Sequence, residues 1–348
     1  MTHLNGSFQD TGYEEPKKKK RTGLMILLGA VSLVLIALLV AGGYLLSLAR
    51  SFDSGTTKLT DAFPEETLRP EKAETAKDAT NILLLGSDTR ATNQGGEEFA
   101  ELPDGGRSDT MMLVHIPANR EGVYVTSIMR DTWLDIPGHG KAKINAAFAL
   151  GGVPLTVQTL EGLLDTRIDH VASIDFEGFK GLTNALGGVE INNPIAFKQN
   201  LANGYAFPKG LQTLDGEEAL AFVRERYAFT DGDYQRVRNQ QLFVKAIMST
   251  MMSKETLTDP GKISATVQEF APYVAVDETL DAMKVATLGS SMANVRSSDM
   301  TFFTLPNNGT GRSADGQSIV IPDMAVVSEF AEALKQDNVG QFIEDNGL

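Results

Sequence analysis

One long uncharged run near the start of the chain constrains its fold more than any other feature. Residues 22–49 hold no charged side chain, and five basic residues, Lys17 to Arg21, come directly before them. A helix needs about 20 mostly apolar residues to cross the hydrocarbon core of a bilayer, so this run is long enough. Basic residues beside a spanning helix favour the cytoplasmic side. We therefore expect a single-pass cell-membrane protein, with a basic cytoplasmic tail at 1–21, a transmembrane helix at 22–49 and all later residues outside the cytoplasm.

A cleaved signal peptide is the alternative interpretation of the same run. The apolar core of a signal peptide is roughly 7–15 residues long, and this run is longer, which favours an uncleaved anchor. Gly42, Gly43 and Ser47 are small enough to form a cleavage site, so the sequence leaves the alternative open.

The charge and the cysteine content of the chain exclude several classes of protein. The formal net charge is -14 although residues 1–50 are net basic, so the later residues carry the acidic excess. An acidic domain repels polyanions, which argues against a nucleic-acid partner. The chain has no cysteine, which excludes disulfides, thiol nucleophiles and cysteine-bound metals. A local arginine cluster or a bound metal ion still allows such a domain to hold phosphate.

Strand-like and helical patterns alternate beyond the membrane run. Short apolar runs predict strands at 81–88, 111–116, 123–129, 300–306 and 318–322. Helical patterns lie at 143–150, 154–164, 176–186, 219–223, 233–252, 277–291 and 323–335. Such alternation indicates an α/β domain, and the short connection between the second and third strands makes that pair antiparallel. We expect a three-layer domain at 79–340, with a central mixed β-sheet flanked by helices, and a linker at 50–78.

Two predicted helices begin with recognisable caps. Asp175 directly precedes one helical pattern, where its carboxylate can accept a hydrogen bond from a free backbone N–H group. Asp215 and Glu218 have the spacing of a reciprocal capping arrangement. These caps predict where the two helices start.

Two aspartates border the first two strands. Asp88 directly follows the first strand, and Asp109 precedes the second. Ligands of open α/β sheets bind at the carboxyl ends of strands. Mg²⁺ takes one or two carboxylates together with water and phosphate oxygens, so the pair predicts a Mg²⁺ site. Aspartates in glycine-rich turns also close turns without any ligand, and that is the structural alternative.

Several arginines lie at the ends of predicted elements. Arg107 shares extended chain with Asp109, and Arg130 follows the third strand. Arg224 and Arg226 would point about 200° apart on a continuous helix, so they reach one ligand together only if the helix stops near residue 223. Guanidinium groups bind phosphate oxygens in bidentate fashion, which predicts a phosphate clamp. Local ion pairs and a solvated helix end are the alternatives.

The longest helical pattern outside the membrane run carries three polar residues on one face. Asp233, Arg236 and Gln240 are spaced i, i+3 and i+7, which places them on neighbouring turns of the same face. A helix cap followed by a solvated polar face would show the same spacing, so the pattern alone leaves both interpretations open.

The ordered set of motifs resembles the LytR-CpsA-Psr family of bacterial cell-wall enzymes. The matching stretches cover most of residues 80–250 in the order of the family. They are GSDTR (86–90), GGRSDTMMLVHI (105–116), SIMRDTW (127–133), KINAAFALGG (143–152), DFEGFKGLTNALGGVEI (175–191), LDGEEALAFVRER (214–226) and DYQRVRNQQ (233–241).

The resemblance implies a Mg²⁺-dependent phosphotransferase that moves a glycopolymer, such as teichoic acid, from a polyprenyl-pyrophosphate carrier to peptidoglycan through a phosphodiester link. It implies the family's α/β fold with an apolar pocket for the lipid. The roles that it implies are Mg²⁺ binding by Asp88 and Asp109, pyrophosphate binding by Arg107, Arg130, Arg224, Arg226 and Gln240, and catalysis by Arg130, Arg236 and Asp233. Either Asp233 or Asp131 would accept the proton of the attacking hydroxyl.

The sequence departs from the family pattern in two places. Met129 stands where the family often has proline, and residues 91–104 look like an insertion between the first two motifs. The alternative functions are a polyprenyl-pyrophosphate pyrophosphatase, a noncatalytic glycan- or lipid-binding protein and a membrane-bound transcriptional attenuator. A cytoplasmic tail of about 21 residues is too short for a DNA-binding domain of the usual kind, which argues against the attenuator. The motifs do not distinguish between glycopolymers.

Overall fold

The computed structural model describes residues 42–87, 108–253, 256 and 258–348. Its strands are β1 (Thr57–Leu59), β2 (Thr80–Ser87), β3 (Ser108–Ile116), β4 (Val123–Ile128), β5 (Trp133–Ile136), β6 (Gly140–Lys143), β7 (His170–Ile174), β8 (Val189–Asn193), β9 (Phe197–Lys198), β10 (Ala206–Phe207), β11 (Gly210–Leu214), β12 (Val274–Asp277), β13 (Met300–Thr304), β14 (Asn307–Arg312) and β15 (Ser318–Pro322). Its helices are α1 (42–55), α2 (Ile144–Leu164), α3 (Phe176–Ala185), α4 (Gly216–Arg224), α5 (Asp233–Met251), α6 (Pro260–Phe270), α7 (Ala282–Ser291), α8 (Met324–Lys335) and α9 (Val339–Asn346).

The central sheet has the strand order β1-β12-β7-β2-β3-β4-β13. The pairs β1–β12, β7–β2 and β4–β13 are parallel, and the pairs β12–β7, β2–β3 and β3–β4 are antiparallel. This arrangement confirms the mixed sheet and the antiparallel pairing of the second and third predicted strands. Because β2 and β7 are parallel neighbours, their carboxyl ends lie at the same edge of the sheet.

Side chains on the two faces of β2 enter different apolar layers. Leu83 and Leu85 pack in a core that includes residues of α2, α8 and α9. Ile82 and Leu84 pack on the other face, with residues of α5. A strand that is apolar on both faces is typical of a sheet covered on both sides. The helix–sheet–helix layering therefore confirms the predicted α/β fold class for the described domain.

Local signals in the sequence set several helix ends. The Asp175 carboxylate accepts a hydrogen bond from the backbone N–H of Gly178, at the start of α3. Asp215 and Glu218 form a reciprocal capping box at the start of α4. Both predicted caps are confirmed. They could be predicted because each depends only on residues three positions apart.

One helix joins two helices that the sequence predicted separately. The patterns at 143–150 and 154–164 both belong to α2, whose backbone leaves helical values at Gly151 and Gly152. Gly152 has a φ of 63°, a conformation that glycine adopts without steric cost. The helix resumes at once, so the glycines produce a kink rather than a loop.

The segment that the sequence predicted as a linker, 50–78, lies within the compact unit Leu48–Leu348. Its strand β1 pairs with β12 at the edge of the sheet. The guanidinium of Arg69 lies 2.7 Å from a carboxylate oxygen of Glu161, whose side chain is only 1% exposed. A buried carboxylate needs a charged or hydrogen-bonding partner, and this segment supplies one. Its polar composition therefore reflects contacts with the domain as well as with water.

The predicted transmembrane helix at 22–49 lies outside the described residues except for its last eight, 42–49, which are helical. Within the described ranges, α2 is the one helix long and apolar enough to cross a membrane. Half of the apolar stretch of α2 is buried inside the protein, and side chains such as Phe148 and Leu160 belong to the main apolar core. The helix α2 is therefore a core element, and the N-terminal anchor stays a prediction.

Candidate active site

A cavity of about 340 Å³ opens beside the carboxyl ends of β2 and β7. Side chains from the sheet and from α3, α4 and α5 surround it. The lining residues are Leu84, Leu85, Gly86, Thr110, Met112, Arg130, Ile174, Asp175, Phe176, Phe179, Leu220, Val223, Arg224, Arg226, Tyr227, Arg236, Gln240, Phe243 and Val244. The volume falls in the range of small-molecule sites, about 300–1,000 Å³.

Most of the cavity wall is hydrocarbon. Leu84 and Met112 contribute from the sheet, and Phe179 and Phe243 contribute from α3 and α5. The rings of Phe179 and Phe243 lie 5.2 Å apart between centroids, and Phe243 is fully buried. Such a wall excludes water and has the chemistry to hold an apolar chain.

Four of the predicted arginines meet at this cavity. Arg130 follows β4, where the backbone turns so that the N–H of Thr132 donates to the Met129 carbonyl at 2.9 Å. Met129 is buried and packs against α5 and the hairpin β14–β15. Arg236 comes from α5, and Arg224 and Arg226 come from the end of α4; they line the cavity together with Arg130.

The end of α4 decides how Arg224 and Arg226 are presented. The helix ends at Arg224, and Glu225 has extended backbone angles of -67° and 130°. The extended residue turns the two guanidinium groups to the same side. This meets the condition that the sequence analysis set for the binding of one ligand by both arginines. The guanidinium of Arg224 lies 4.3 Å above the ring of Phe176, and that of Arg226 lies 4.6 Å above the ring of Tyr227. Stacking on aromatic rings limits the orientations of both forks.

Asp233 lies between two of these arginines. Its carboxylate is 2.9 Å from Nη2 of Arg236 and 3.9 Å from Nη2 of Arg130. Gln240 follows on the same face of α5 and donates to the carbonyl of Val223 at 3.4 Å. The face predicted from the spacing i, i+3 and i+7 is therefore turned to the cavity region rather than to bulk water.

Asp131, the other predicted proton acceptor, has a different environment. Its carboxylate lies 3.2 Å from Nζ of Lys143. Neither Asp131 nor Asp233 is among the lining residues, but Asp233 contacts two arginines that are. Its backbone carbonyl accepts a hydrogen bond of 2.8 Å from the N–H of Val320, which attaches the hairpin β14–β15 to this turn. The geometry thus separates two aspartates that the sequence could not rank.

Three predicted phosphate- or metal-binding residues cannot be placed in the cavity. Arg107 and Asp88 lie outside the described residues, and Asp109 is described only in its backbone, within β3. Ser87, directly before Asp88, is in register with Ser108, directly before Asp109. In the described part of the chain, no group of three or more histidine or acidic side chains could hold a metal ion. The roles of these three residues stay predictions.

One cavity residue was predicted only as a helix cap. Asp175 is 1% exposed, and its Oδ1 accepts the Gly178 hydrogen bond at 2.7 Å. Its Oδ2 is buried without a hydrogen-bond partner among the described residues. Burial raises the pKa of this carboxyl above its usual range, although the hydrogen bond from Gly178 opposes the shift. Asp175 directly follows β7, a strand that the sequence analysis did not predict, so only its capping pattern was recognised.

Comparisons with known proteins identify the family of this chain. The model of the LytR_cpsA_psr family matches residues 47–336. The polyisoprenyl-teichoic acid–peptidoglycan teichoic acid transferase TagU of Enterococcus faecalis is 34% identical over 262 residues, 74% of this chain and 80% of the relative. TagU of Oceanobacillus iheyensis is 34% identical over 312 residues, 87% of this chain and 91% of the relative.

Solved structures show the same fold. The crystal structure of Bacillus subtilis TagV covers 75% of this chain and 98% of its own, with a TM-score of 0.63 and 26% identity. A structure described as TagT bound to LI-WTA covers 80% of this chain and 98% of its own, with a TM-score of 0.59 and 25% identity. With the family model spanning most of the chain and relatives matching over most of their length, this chain belongs to the LytR_cpsA_psr family.

Proposed function

We propose that this protein transfers a phosphate-linked glycopolymer from a polyprenyl-pyrophosphate carrier to peptidoglycan and forms a phosphodiester link. One observation carries the proposal: a single cavity combines a hydrocarbon wall with four guanidinium groups. A polyprenyl pyrophosphate has the same two parts, an apolar chain and a strongly anionic head. The names of the TagU relatives describe a transfer of this kind.

The charge of the cavity suits a pyrophosphate diester. Arg130, Arg224, Arg226 and Arg236 bring four positive charges, and Asp233 and the cavity residue Asp175 offset at most two of them. The remaining excess complements a doubly charged pyrophosphate. Guanidinium forks donate two parallel hydrogen bonds to phosphate oxygens, which fixes the orientation of the head group. The overall acidity of the domain keeps other polyanions away, so binding depends on this local cluster.

The transfer exchanges one phosphorus–oxygen bond for another. A hydroxyl oxygen of peptidoglycan attacks the phosphorus that carries the glycopolymer, and the bond from that phosphorus to the bridging oxygen breaks. The products are the phosphodiester and polyprenyl phosphate. Negative charge grows on the bridging oxygen, where arginines such as Arg130 stabilise it. The energy comes from the pyrophosphate itself, so no nucleotide is required.

Asp233 is the residue that we assign as proton acceptor. It lies 3.9 Å from Arg130 and 2.9 Å from Arg236, two arginines that line the cavity, whereas Asp131 is paired with Lys143. Arg236 holds the Asp233 carboxylate at 2.9 Å and so fixes the direction of its free lone pairs. The proton of the attacking hydroxyl moves to this carboxylate as the new bond forms.

We include Mg²⁺ in the proposal as the cofactor. Asp88 and Asp109 would hold it, because they directly follow Ser87 and Ser108, which pair at the end of the β2–β3 ladder beside the cavity residues Gly86 and Thr110. When bound, Mg²⁺ offsets negative charge on phosphate oxygens.

We also propose the location of the protein: a single N-terminal membrane helix at 22–49 and a catalytic domain outside the cytoplasm. The basic residues before that run favour this orientation. A membrane anchor keeps the cavity close to a donor whose carrier is itself a membrane lipid.

The test compares two arginines on one helix. The full chain is reconstituted in lipid nanodiscs with a polyprenyl-pyrophosphate glycan, peptidoglycan fragments and Mg²⁺, and the products are identified by mass spectrometry. Arg236→Ala should lower the rate by about 100-fold or more, as expected for loss of a charged donor to the reacting group. Arg238→Ala is the matched control, because Arg238 is exposed and pairs with Asp231 away from the cavity.

Each outcome has a clear meaning. A phosphodiester-linked product that disappears in Arg236→Ala and persists in Arg238→Ala supports the transferase. Release of polyprenyl phosphate and free glycan phosphate, without linkage to peptidoglycan, would assign the site to a pyrophosphatase, with water as the acceptor. If the unmodified protein showed no turnover and Arg236→Ala bound the donor as tightly as the unmodified protein does, an enzymatic role would be refuted.

A further inference from the structure

Four large apolar side chains are exposed on one part of the domain surface. They are Ile195, Leu201, Tyr205 and Tyr227, with 47%, 65%, 42% and 69% of their surface accessible. We call them the rim patch. Single exposed apolar residues are common on soluble proteins, but contiguous ones mark sites of interaction. The rim patch therefore requires an explanation if its members adjoin one another.

Two shallow grooves join the members of the rim patch. Ile195 and Tyr227 border the first groove, and Leu201, Tyr205 and Tyr227 border the second. Both grooves share Gln199 and Asn200 as well as Tyr227, so they form one continuous surface.

The second groove continues into the candidate active site. Leu220, Arg224 and Tyr227 line both this groove and the cavity. An apolar chain lying along the groove would therefore reach the hydrocarbon wall of the cavity by passing Tyr227 and the arginines. The rim patch is thus at the entrance of the cavity and not on an unrelated face.

The rim patch has a fixed backbone. Glu225 is 6% exposed, and its carboxylate accepts hydrogen bonds from the N–H of Asn200 at 3.4 Å and from the N–H of Ala228 at 2.9 Å. One buried carboxylate therefore ties the two chain segments together. Beneath them, the ring of Phe197 lies 4.7 Å from that of Phe229. The exposed side chains are held on a structured support.

The charge around the rim patch differs from that of the rest of the chain. Residues 191–214 contain no aspartate or glutamate, whereas the whole chain has 45 acidic residues. Two lysines, Lys198 and Lys209, are exposed within this stretch. Glu217 borders the second groove, and it shares Lys180, at 3.0 Å, with Glu177, at 2.7 Å. An acidic domain is repelled by an anionic bilayer surface, and the exposed Lys198 and Lys209 lower this repulsion locally.

We propose that the rim patch lies in the interfacial layer of an anionic bilayer, so that a lipid-linked substrate enters the cavity from the membrane without crossing water. Leucine and isoleucine side chains insert at the acyl boundary, tyrosine rings suit the headgroup level, and lysines contact anionic lipid. The identity of the substrate rests on the proposed function. The contact with the bilayer rests on exposure, continuity and charge.

The first experiment measures the depth of single side chains. Because the chain has no cysteine, Leu201→Cys and Tyr227→Cys each give one labelling position in the full chain. Leu150→Cys and Met324→Cys are matched controls, since both residues are 51% exposed and lie on α2 and α8, on the other face of the sheet. Each variant carries a nitroxide and is placed in nanodiscs that contain phosphatidylglycerol.

The expected result is a contrast between the two pairs. Labels at 201 and 227 should gain collision with oxygen and lose collision with a water-soluble nickel chelate, and the control labels should not. Equal accessibility at all four positions would overturn the proposal. Protection accompanied by spin–spin broadening that disappears on dilution with unlabelled protein would also overturn it, because the occupant would be a second copy of the chain.

The second experiment separates delivery of the substrate from chemistry. The variant Leu201→Ser with Tyr205→Ser changes two patch residues that do not line the cavity. It should raise KM about tenfold for a long-chain donor embedded in a bilayer and leave kcat/KM unchanged for a short-chain, water-soluble donor. Equal losses with both donors, or no loss with either, would overturn the proposal. If the unmodified protein turned over neither donor, the proposed function would fail, and the spin labels alone would decide the membrane contact.

Discussion

The carboxylate of Asp233 offers the sharpest test of how the arginine cluster is held together. Its side chain is 18% exposed, and the Arg236 side chain, 2.9 Å away, is 6% exposed. Arg130, at 3.9 Å, is 15% exposed. The substitution Asp233→Asn keeps the shape of the side chain and removes its charge. Two neighbouring guanidinium groups then lose the anion between them.

The expected loss of stability follows from these distances. A hydrogen bond to a charged group contributes about 1.5–3 kcal/mol, and a carboxylate at a helix N-terminus adds roughly 0.3–1 kcal/mol. Removing one partner of a fully buried pair costs about 3–5 kcal/mol, and partial exposure places Asp233 below that range. We expect the free energy of unfolding to fall by about 2–3 kcal/mol, which lowers Tm by roughly 4–10 °C.

The control lies at the same helix end. Asp231 pairs with Arg238, and these side chains are 43% and 50% exposed. Exposed ion pairs contribute about 0–1 kcal/mol, so Asp231→Asn should change Tm by only a few degrees. Thermal unfolding followed by circular dichroism compares the two variants. Equal shifts in Tm would refute the view that the Asp233 ion pair is a structural support of the cluster.

The same variant also separates binding from catalysis. Asp233→Asn raises the positive charge near Arg130 and Arg236, so inorganic pyrophosphate should bind more tightly in calorimetry. If Asp233 also accepts the proton, transfer to peptidoglycan should fall by about 100-fold or more, the range for general base catalysis. Weaker binding of pyrophosphate together with normal turnover would contradict both parts of the reasoning.

Three further predictions concern stability. Burial raises the pKa of Asp175 above its usual range, so the folded protein loses stability as pH rises from the unfolded pKa to the folded pKa of this carboxyl. The stability of Asp175→Asn in urea should therefore decline less over that rise in pH than that of the unmodified protein; a parallel decline would refute this. Burial alone would raise the pKa of Asp277, but hydrogen bonds from His170 and other groups hold that pKa below its usual range. This carboxylate therefore stabilises the fold above its unfolded pKa, and the contribution is lost as pH falls through the folded pKa. Asp277→Asn should be less stable than the unmodified protein at neutral pH and should lose less stability in acid; unchanged stability would contradict this. A Cβ at Gly178 would lie 2.3 Å from another side-chain carbon, whereas one at Gly162 would meet nothing within 4 Å. Gly178→Ala should lower the free energy of unfolding by about 1–3 kcal/mol, and Gly162→Ala should raise it by about 0.5–1 kcal/mol. The reverse order of stability in chemical denaturation would be inconsistent with the packing.

Features that depend on neighbours in sequence were predicted well. The caps of α3 and α4 involve residues three positions apart, and both are present. The face of α5 that carries Asp233, Arg236 and Gln240 follows from helix periodicity alone. The break at the end of α4 was the stated condition for joint use of Arg224 and Arg226, and the extended Glu225 provides it.

Features that depend on distant parts of the chain were not predictable in the same way. The sequence predicted Asp175 only as a helix cap, because capping is a local pattern. Its place in the cavity depends on the parallel pairing of β7 with β2. The segment 50–78 was predicted to be a linker because it is polar. In the structure, its Arg69 balances the charge of the buried Glu161, which is far away in sequence. Tyr227 carried no recognisable pattern, and only its position between groove and cavity gives it a role.

The sequence by itself determined the α/β class, the family and the helices that carry the polar residues, because hydrophobic periodicity, caps and ordered motifs are properties of short segments. Only the tertiary structure decided that Arg130 and Asp233 lie 3.9 Å apart, that Asp131 belongs to a different ion pair and that exposed apolar residues border the entrance of the cavity. Side-chain direction at a strand end or after a helix depends on the packing of whole layers. A chain must fold before charges far apart in sequence can share one site.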